Sequence, residues 1–233
     1  MTTFTQLILT SSDPPEPFTN PLRLAVAAYL ARFKGSSREH ADSDLRCAHR
    51  WALDEEAAQP FFRQAIEAGI TFWDTANTYQ HGTSEELVGR AIRRYSRRED
   101  IVLATKVWGK MHDGPGGQGL SRKAILEQVD ASLARLGTDH IDLYQIHRFD
   151  PDTPAEETME ALHDIVKAGK VRYLGASSMY AWQFAKLQHT ASLAGWTRFA
   201  TMQNQYNLLR RQDERELIDT LQKPYTPHGP SWF

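Results

Sequence analysis

Cysteine is nearly absent from this 233-residue chain: Cys47 stands alone. A single cysteine rules out an intrachain disulfide and a cysteine-built metal cluster, and it leans the redox argument towards a reducing compartment, so a cytoplasmic setting is expected. The nine histidines include no pair at the His-Glu-x-x-His spacing of a helical zinc site, so no metal is expected. Long hydrophobic runs are missing too. The longest N-terminal apolar stretch, residues 24–30, is far too short to span a bilayer and follows Asp13 and Glu16, whereas secretory and transit peptides avoid early acids; neither a membrane segment nor a targeting segment is expected. Charge of one sign is not in excess. Lys plus Arg number 27 against 29 Asp plus Glu, for a net charge of −2, which points away from nucleic acid and anionic membrane and towards a small-molecule partner. Finally, no Gly-x-Gly-x-x-Gly follows any predicted strand, which counts against a Rossmann domain.

What is present is ordinary globular material, 41% hydrophobic and 24% charged, enough for a packed core. From about Trp51 onwards, helical patterns alternate with short apolar runs, the sequence form of repeated βα units. Asp54 is placed to cap a helix through Ala68 with Gly69 ending it, and residues 70–73 read as a buried strand. A helix over 84–91, a strand over 101–105, a long helix capped by Ser121 and a strand over 141–146 follow. In that long helix Ile125, Val129, Leu133 and Leu136 share one face. Thr153, Pro154 and Glu156 have the form of a capping box opening a helix to Ala168. Strand 171–176, helix 181–194, strand 199–202 and a last helix over about 212–221 complete the series. Five strands and six helices suit either a (β/α)8 barrel or an open doubly wound sheet, and periodicity does not separate them.

The polar residues favour the barrel, in which chemistry collects where strands end. Asp74, Lys106, His147, Ser177 and Gln203 each follow one of the five apolar runs directly. Singly, each has an ordinary explanation: a turn cap, a solvated strand end, a hydrogen-bonded histidine, and for Tyr79 simple loop packing. Together, on consecutive strands, Asp74, Tyr79, Lys106 and His147 converge on one rim and form a set able to move protons. A neighbouring ammonium favours the phenolate, which turns Tyr79 into a usable acid. Asp74 would hold Lys106, and His147 could orient a substrate carbonyl. The set contains no reductant, so a hydride must come from a bound cofactor, to whose carboxamide Ser177, Ser178 and Gln203 offer hydroxyl and amide partners. Trp108 and the glycine-rich segment 114–119 follow a strand end, where substrate loops of barrels lie. The run Arg90, Arg93, Arg94, Arg97, Arg98 is flanked by Glu85, Glu86, Glu99 and Asp100 and reads as a solvated helix end.

The stretches Phe72-Trp73-Asp74-Thr75-Ala76-Asn77-Thr78-Tyr79, Ala104-Thr105-Lys106-Val107, Asp142-Leu143-Tyr144-Gln145-Ile146-His147 and Gln203-Asn204-Gln205-Tyr206-Asn207 resemble the aldo-keto reductase superfamily. The 114–120 loop with Arg135-Leu136-Gly137-Thr138-Asp139 resembles its aryl-alcohol-dehydrogenase-like branch. The resemblance covers roughly residues 47–220. It implies a (β/α)8 TIM barrel, a catalytic tetrad of Asp74, Tyr79, Lys106 and His147 with Tyr79 the general acid, and nicotinamide contacts from Ser177, Ser178 and Gln203. It further implies NADPH as cofactor and a small aldehyde or ketone as substrate.

Both ends depart from that pattern. Residues 1–46 form an atypical segment, Pro-rich at its start and helix-like over 22–33, where the family has a β-hairpin and first strand. Residues 221–233, with Pro224, Pro227 and Pro230, read as an irregular tail in place of two further βα units. The expectation is therefore an incomplete barrel over 47–220, with unpaired strand edges and a weak hold on NADPH, and a chain that is by itself a poor enzyme. The alternative is a non-catalytic NADPH-binding regulatory subunit of the same fold; a Schiff-base lyase acting through Lys106 ranks last, because Asp74 would keep that lysine protonated.

Overall fold

The computed structural model describes residues 55–205, 211–215 and 217–222; the expectations for residues 1–46, the Asp54 cap and the tail beyond 222 lie outside them. Strands β1 (Phe72–Asp74), β2 (Val102–Val107), β3 (Ile141–Ile146), β4 (Val171–Ser177) and β5 (Phe199–Gln203) alternate with helices α1 (Glu55–Glu67), α2 (Thr83–Tyr95), α3 (Arg122–Leu136), α4 (Ala155–Lys167), α5 (Ala181–Ala194) and α6 (Leu217–Gln222). All strand pairings are parallel, and the order in the sheet is β1-β2-β3-β4-β5. That order decides between the two architectures left open by periodicity. A doubly wound sheet reverses its strand order at a switch point, whereas here every unit steps one strand further in the same direction, as in the wall of a barrel. The described residues thus form a half-barrel of five parallel strands, in which β1 and β5 are the edges.

Alternation along each strand sends one set of side chains to the helices and the other to the barrel axis. Leu103, Tyr144, Ile146 and Leu174 point outwards and pack under Ile125 and Val129 of α3, Met159, Leu162 and Ile165 of α4, and Phe184 and Leu187 of α5, all buried. Trp73 stacks on Phe62 of α1, with ring centroids 5.4 Å apart. Inward-facing Val102 and Tyr173 are 43% and 62% exposed, so the apolar core lies between sheet and helices and leaves the axis side to polar groups near the strand ends.

The helix boundaries follow local chemistry. Ser121 caps α3, its hydroxyl accepting from the Ala124 amide at 3.2 Å, as its position in the sequence suggests. At α4 the expected capping box does not form: Pro154 is the N-cap without a side-chain bond, because the Thr153 hydroxyl donates to Asp150 at 2.8 Å instead. Asp150 also accepts from the amides of Leu120, at 2.7 Å, and Asp152, at 3.1 Å, stitching the glycine-rich segment to the loop after β3. α2 runs on to Tyr95 rather than stopping at Ala91, and the expected last helix is divided into a 3-10 turn, Gln212–Glu214, and α6. The arginine run is more than a solvated face: Arg93 donates to the Leu136 carbonyl at the end of α3, and Arg98 pairs with Asp142 of β3 at 2.7 Å.

Candidate active site

The C-terminal ends of all five strands carry the residues singled out in the sequence. Asp74, Ser177 and Gln203 are the last residues of β1, β4 and β5, Lys106 is the penultimate residue of β2, and His147 follows β3 directly. The strands reach slightly further than the apolar runs do, because the ladder continues through the polar residues. Asn77 N–H donates to the Lys106 carbonyl at 3.1 Å, His147 N–H to Val107 at 2.8 Å and Ser178 N–H to Gln203 at 3.1 Å. Backbone pairing therefore fixes where each side chain starts. Tyr79 opens a 3-10 turn, Tyr79–Gly82, that leads into α2.

Four of these residues meet. Lys106 is 1% exposed, and a buried ammonium must be paired. It donates to the Asp74 carboxylate and to the Thr75 carbonyl at 3.0 Å. Its nitrogen lies 5.3 Å from the centre of the Tyr79 ring, and that ring meets His147 edge-on at 5.7 Å between centroids. Burial, then the charges of Lys106 and Arg148, push the His147 imidazole down to a pKa of about 3. The ring is neutral at physiological pH and keeps one N–H as a donor.

The other three expected residues form a second group beside the first. Ser177 and Ser178 hydroxyls lie 3.2 Å apart, Ser178 sits in the left-handed region at φ 51, and Ser177 is in register with Gln203. Gln203 bridges the two groups, its amide nitrogen donating to Asp74 at 3.2 Å. Two hydroxyls and an amide are a donor and acceptor set that fits a flat carboxamide.

Gln145 escaped the sequence reading. It is 2% exposed, pairs in register with Lys106, and donates to the second Asp74 oxygen at 2.9 Å. The available signal was its position two residues before His147, on a strand face otherwise made of Ile141 and Leu143. Trp108 stands at φ 145 with the Arg148 guanidinium 6.0 Å from its ring centre. Its carbonyl accepts from Gly119 at 2.8 Å, which closes the glycine-rich segment into a loop after β2. Among the described residues no cluster of three metal-ligating side chains occurs, and no helix is long and apolar enough to cross a membrane.

Five consecutive βα units with an acid, a phenol, an ammonium and an imidazole at one rim narrow the class sharply. Residues 44–229 match the model of the aldo/keto reductase family; the chain belongs to that family. It is 48% identical over 191 residues to an aldo-keto reductase of Fusarium vanettenii, covering 72% of this chain and 52% of that protein. It is 47% identical over 186 residues to the versiconal hemiacetal acetate reductase of Aspergillus parasiticus (72% and 54%). It is 45% identical over 196 residues to a Schizosaccharomyces pombe protein named as an aryl-alcohol dehydrogenase (74% and 60%). The chain spans about half the length of the curated relatives it matches.

Proposed function

We propose that this rim reduces aldehyde and ketone carbonyls with NADPH, Tyr79 acting as the general acid. The observation that carries the reading is the placement of the buried Lys106 ammonium between Asp74 and the Tyr79 ring, beside a neutral imidazole. When bound, NADPH supplies a hydride to the carbonyl carbon; Ser177, Ser178 and Gln203 are the residues that would hold its carboxamide. The chain's own groups manage the proton. The neutral His147 N–H donates to the substrate oxygen and orients the carbonyl. The Tyr79 hydroxyl hands its proton to that oxygen, completing the alcohol and leaving a phenolate. Lys106 stabilises the phenolate electrostatically, and Asp74, accepting from Gln145 and Gln203 as well, fixes the ammonium. The catalytic core occupies residues 47–220, and the names of the relatives support an aromatic aldehyde as the first substrate to try.

The experiment is paired: NADPH binding by fluorescence, and NADPH consumption with an aromatic aldehyde. Consumption with formation of the alcohol supports the reductase. Binding with no consumption would replace it by the non-catalytic regulatory subunit.

A further inference from the structure

Behind the rim, on the helix side of the sheet, the sequence neighbours of the reacting residues are tied to one helical turn. Thr75, next to Asp74, shares a hydrogen bond with the Ser84 hydroxyl at 2.7 Å. Thr105, next to Lys106, donates to one Glu85 oxygen at 2.6 Å. Ser84 and Glu85 lie in the first turn of α2, which begins immediately after the turn opened by Tyr79. Glu85 is fully buried, and its second oxygen accepts from Arg135 of α3 at 2.6 Å. Arg135 also donates to Ser132 at 3.3 Å and lies against Gly82, where an added Cβ would stand 2.4 Å from its side chain. Gly82 itself is at φ 96, so glycine is required twice over, by backbone conformation and by the arginine. Alternation explains the arrangement: Asp74 and Lys106 face the axis, and the residues beside them face the helices.

We infer that Ser84, Glu85 and Arg135 are positioning residues for the reduction, an inference that rests on the reading above. They lock the end of β1, the end of β2 and the Tyr79 turn to a single point, so that the Lys106 nitrogen keeps its place over the Tyr79 ring. Reaction rates are steep in such placement: a shift of about 1 Å can cost about 100-fold. An ion pair serving stability alone would leave no trace in catalysis once stability is restored.

The test is the double variant Glu85→Leu/Arg135→Met. It leaves no orphaned charge, and apolar replacement of a buried pair is often neutral for folding; the Thr105 hydroxyl that loses its Glu85 acceptor lowers the unfolding temperature by no more than a few degrees. The expected result is thermal unfolding close to the parent, KM and the NADPH dissociation constant within about threefold, and kcat lower by about 10- to 100-fold. The nuclear Overhauser contact between the Tyr79 ring and the Lys106 side chain should weaken or vanish. A stable double variant with parental kcat and an intact Tyr79–Lys106 contact would overturn the proposal. Should it fail to fold, Thr105→Val removes only the hydroxyl donor; an unchanged kcat and contact there would equally overturn it. A parent that turns nothing over would refute the reductase reading, while the Tyr79–Lys106 contact still decides the positioning role.

Discussion

On the proposed reading Tyr79 is the general acid, and the Lys106 ammonium, 5.3 Å from the centre of its ring, is the group that would stabilise the phenolate left behind. Replacing Lys106 by Met should therefore lower kcat by about 100-fold or more. Because a carboxylate loses its cationic partner, the variant should also lose about 1–3 kcal/mol of stability, less than for a fully buried pair since Asp74 keeps 18% exposure. Steady-state kinetics and urea unfolding of the same variant check both. His147 makes a second prediction. Its folded pKa of about 3 lies below the ordinary value near 6.5, so below pH 6.5 the unfolded chain takes up a proton that the folded chain refuses. Stability must fall as pH drops from 6.5 towards 3 and be unaffected by this group above 6.5, with a slope of at most about 1.4 kcal/mol per pH unit, less because the ring is only part-buried. His147→Gln should flatten that slope, measured by unfolding at pH 7, 5.5 and 4; equal slopes would mean that the ring titrates normally. At this scale the sequence was informative where a polar residue interrupts an apolar run, as at Asp74, Lys106 and His147. It was silent at Gln145, whose role depends on register with Lys106 across the β2–β3 pair, and at Glu85, whose charge is buried against Thr105 and Arg135 but which in the chain stands among acids of a helix start.

Helices α2 and α3 approach so closely that Gly89 of α2 lies on the backbone of α3: a Cβ there would stand 2.1 Å from the Leu136 carbonyl oxygen. Backbone cannot swing aside as a side chain can, so Gly89→Ala should separate the helices and destabilise the protein by about 3 kcal/mol, at the upper end of overpacking effects. A drop of less than about 0.5 kcal/mol in urea unfolding would show that the helices slide freely. The five strands and the α-helices of the described residues were legible, because hydrophobic period and Gly or Ser boundaries agreed; the 3-10 turn Tyr79–Gly82, too short for any period, was not. Boundaries were less so, for physical reasons visible at particular residues. Thr153 has the chemistry of a cap, but Asp150 three residues earlier competes for its hydroxyl. Strands β1 and β2 extend through Asp74 and Lys106 since ladder bonds tolerate polar side chains that find partners at the rim.

For the molecule as a whole, what the sequence pattern left undecided was architecture, since five alternating units fit a barrel wall or an open sheet. The consecutive order β1-β2-β3-β4-β5 resolves it, and membership of the aldo/keto reductase family agrees. Sheet order follows from which strand edges meet, a property of packing that no local period encodes. Once the strands are ordered, residues as distant in the chain as Asp74 and Gln203 become hydrogen-bond partners. The reductase reading depends on that convergence, and one measurement addresses it most directly: transfer of deuterium from NADPH deuterated at both C4 positions to an aromatic aldehyde by the parent and by Tyr79→Phe. The account predicts deuterium on the carbinol carbon of the product with the parent, a rate lower by about 100-fold or more with Tyr79→Phe, and the same NADPH affinity for both. Transfer by Tyr79→Phe at the parental rate, or no transfer by a parent that binds NADPH, would contradict it.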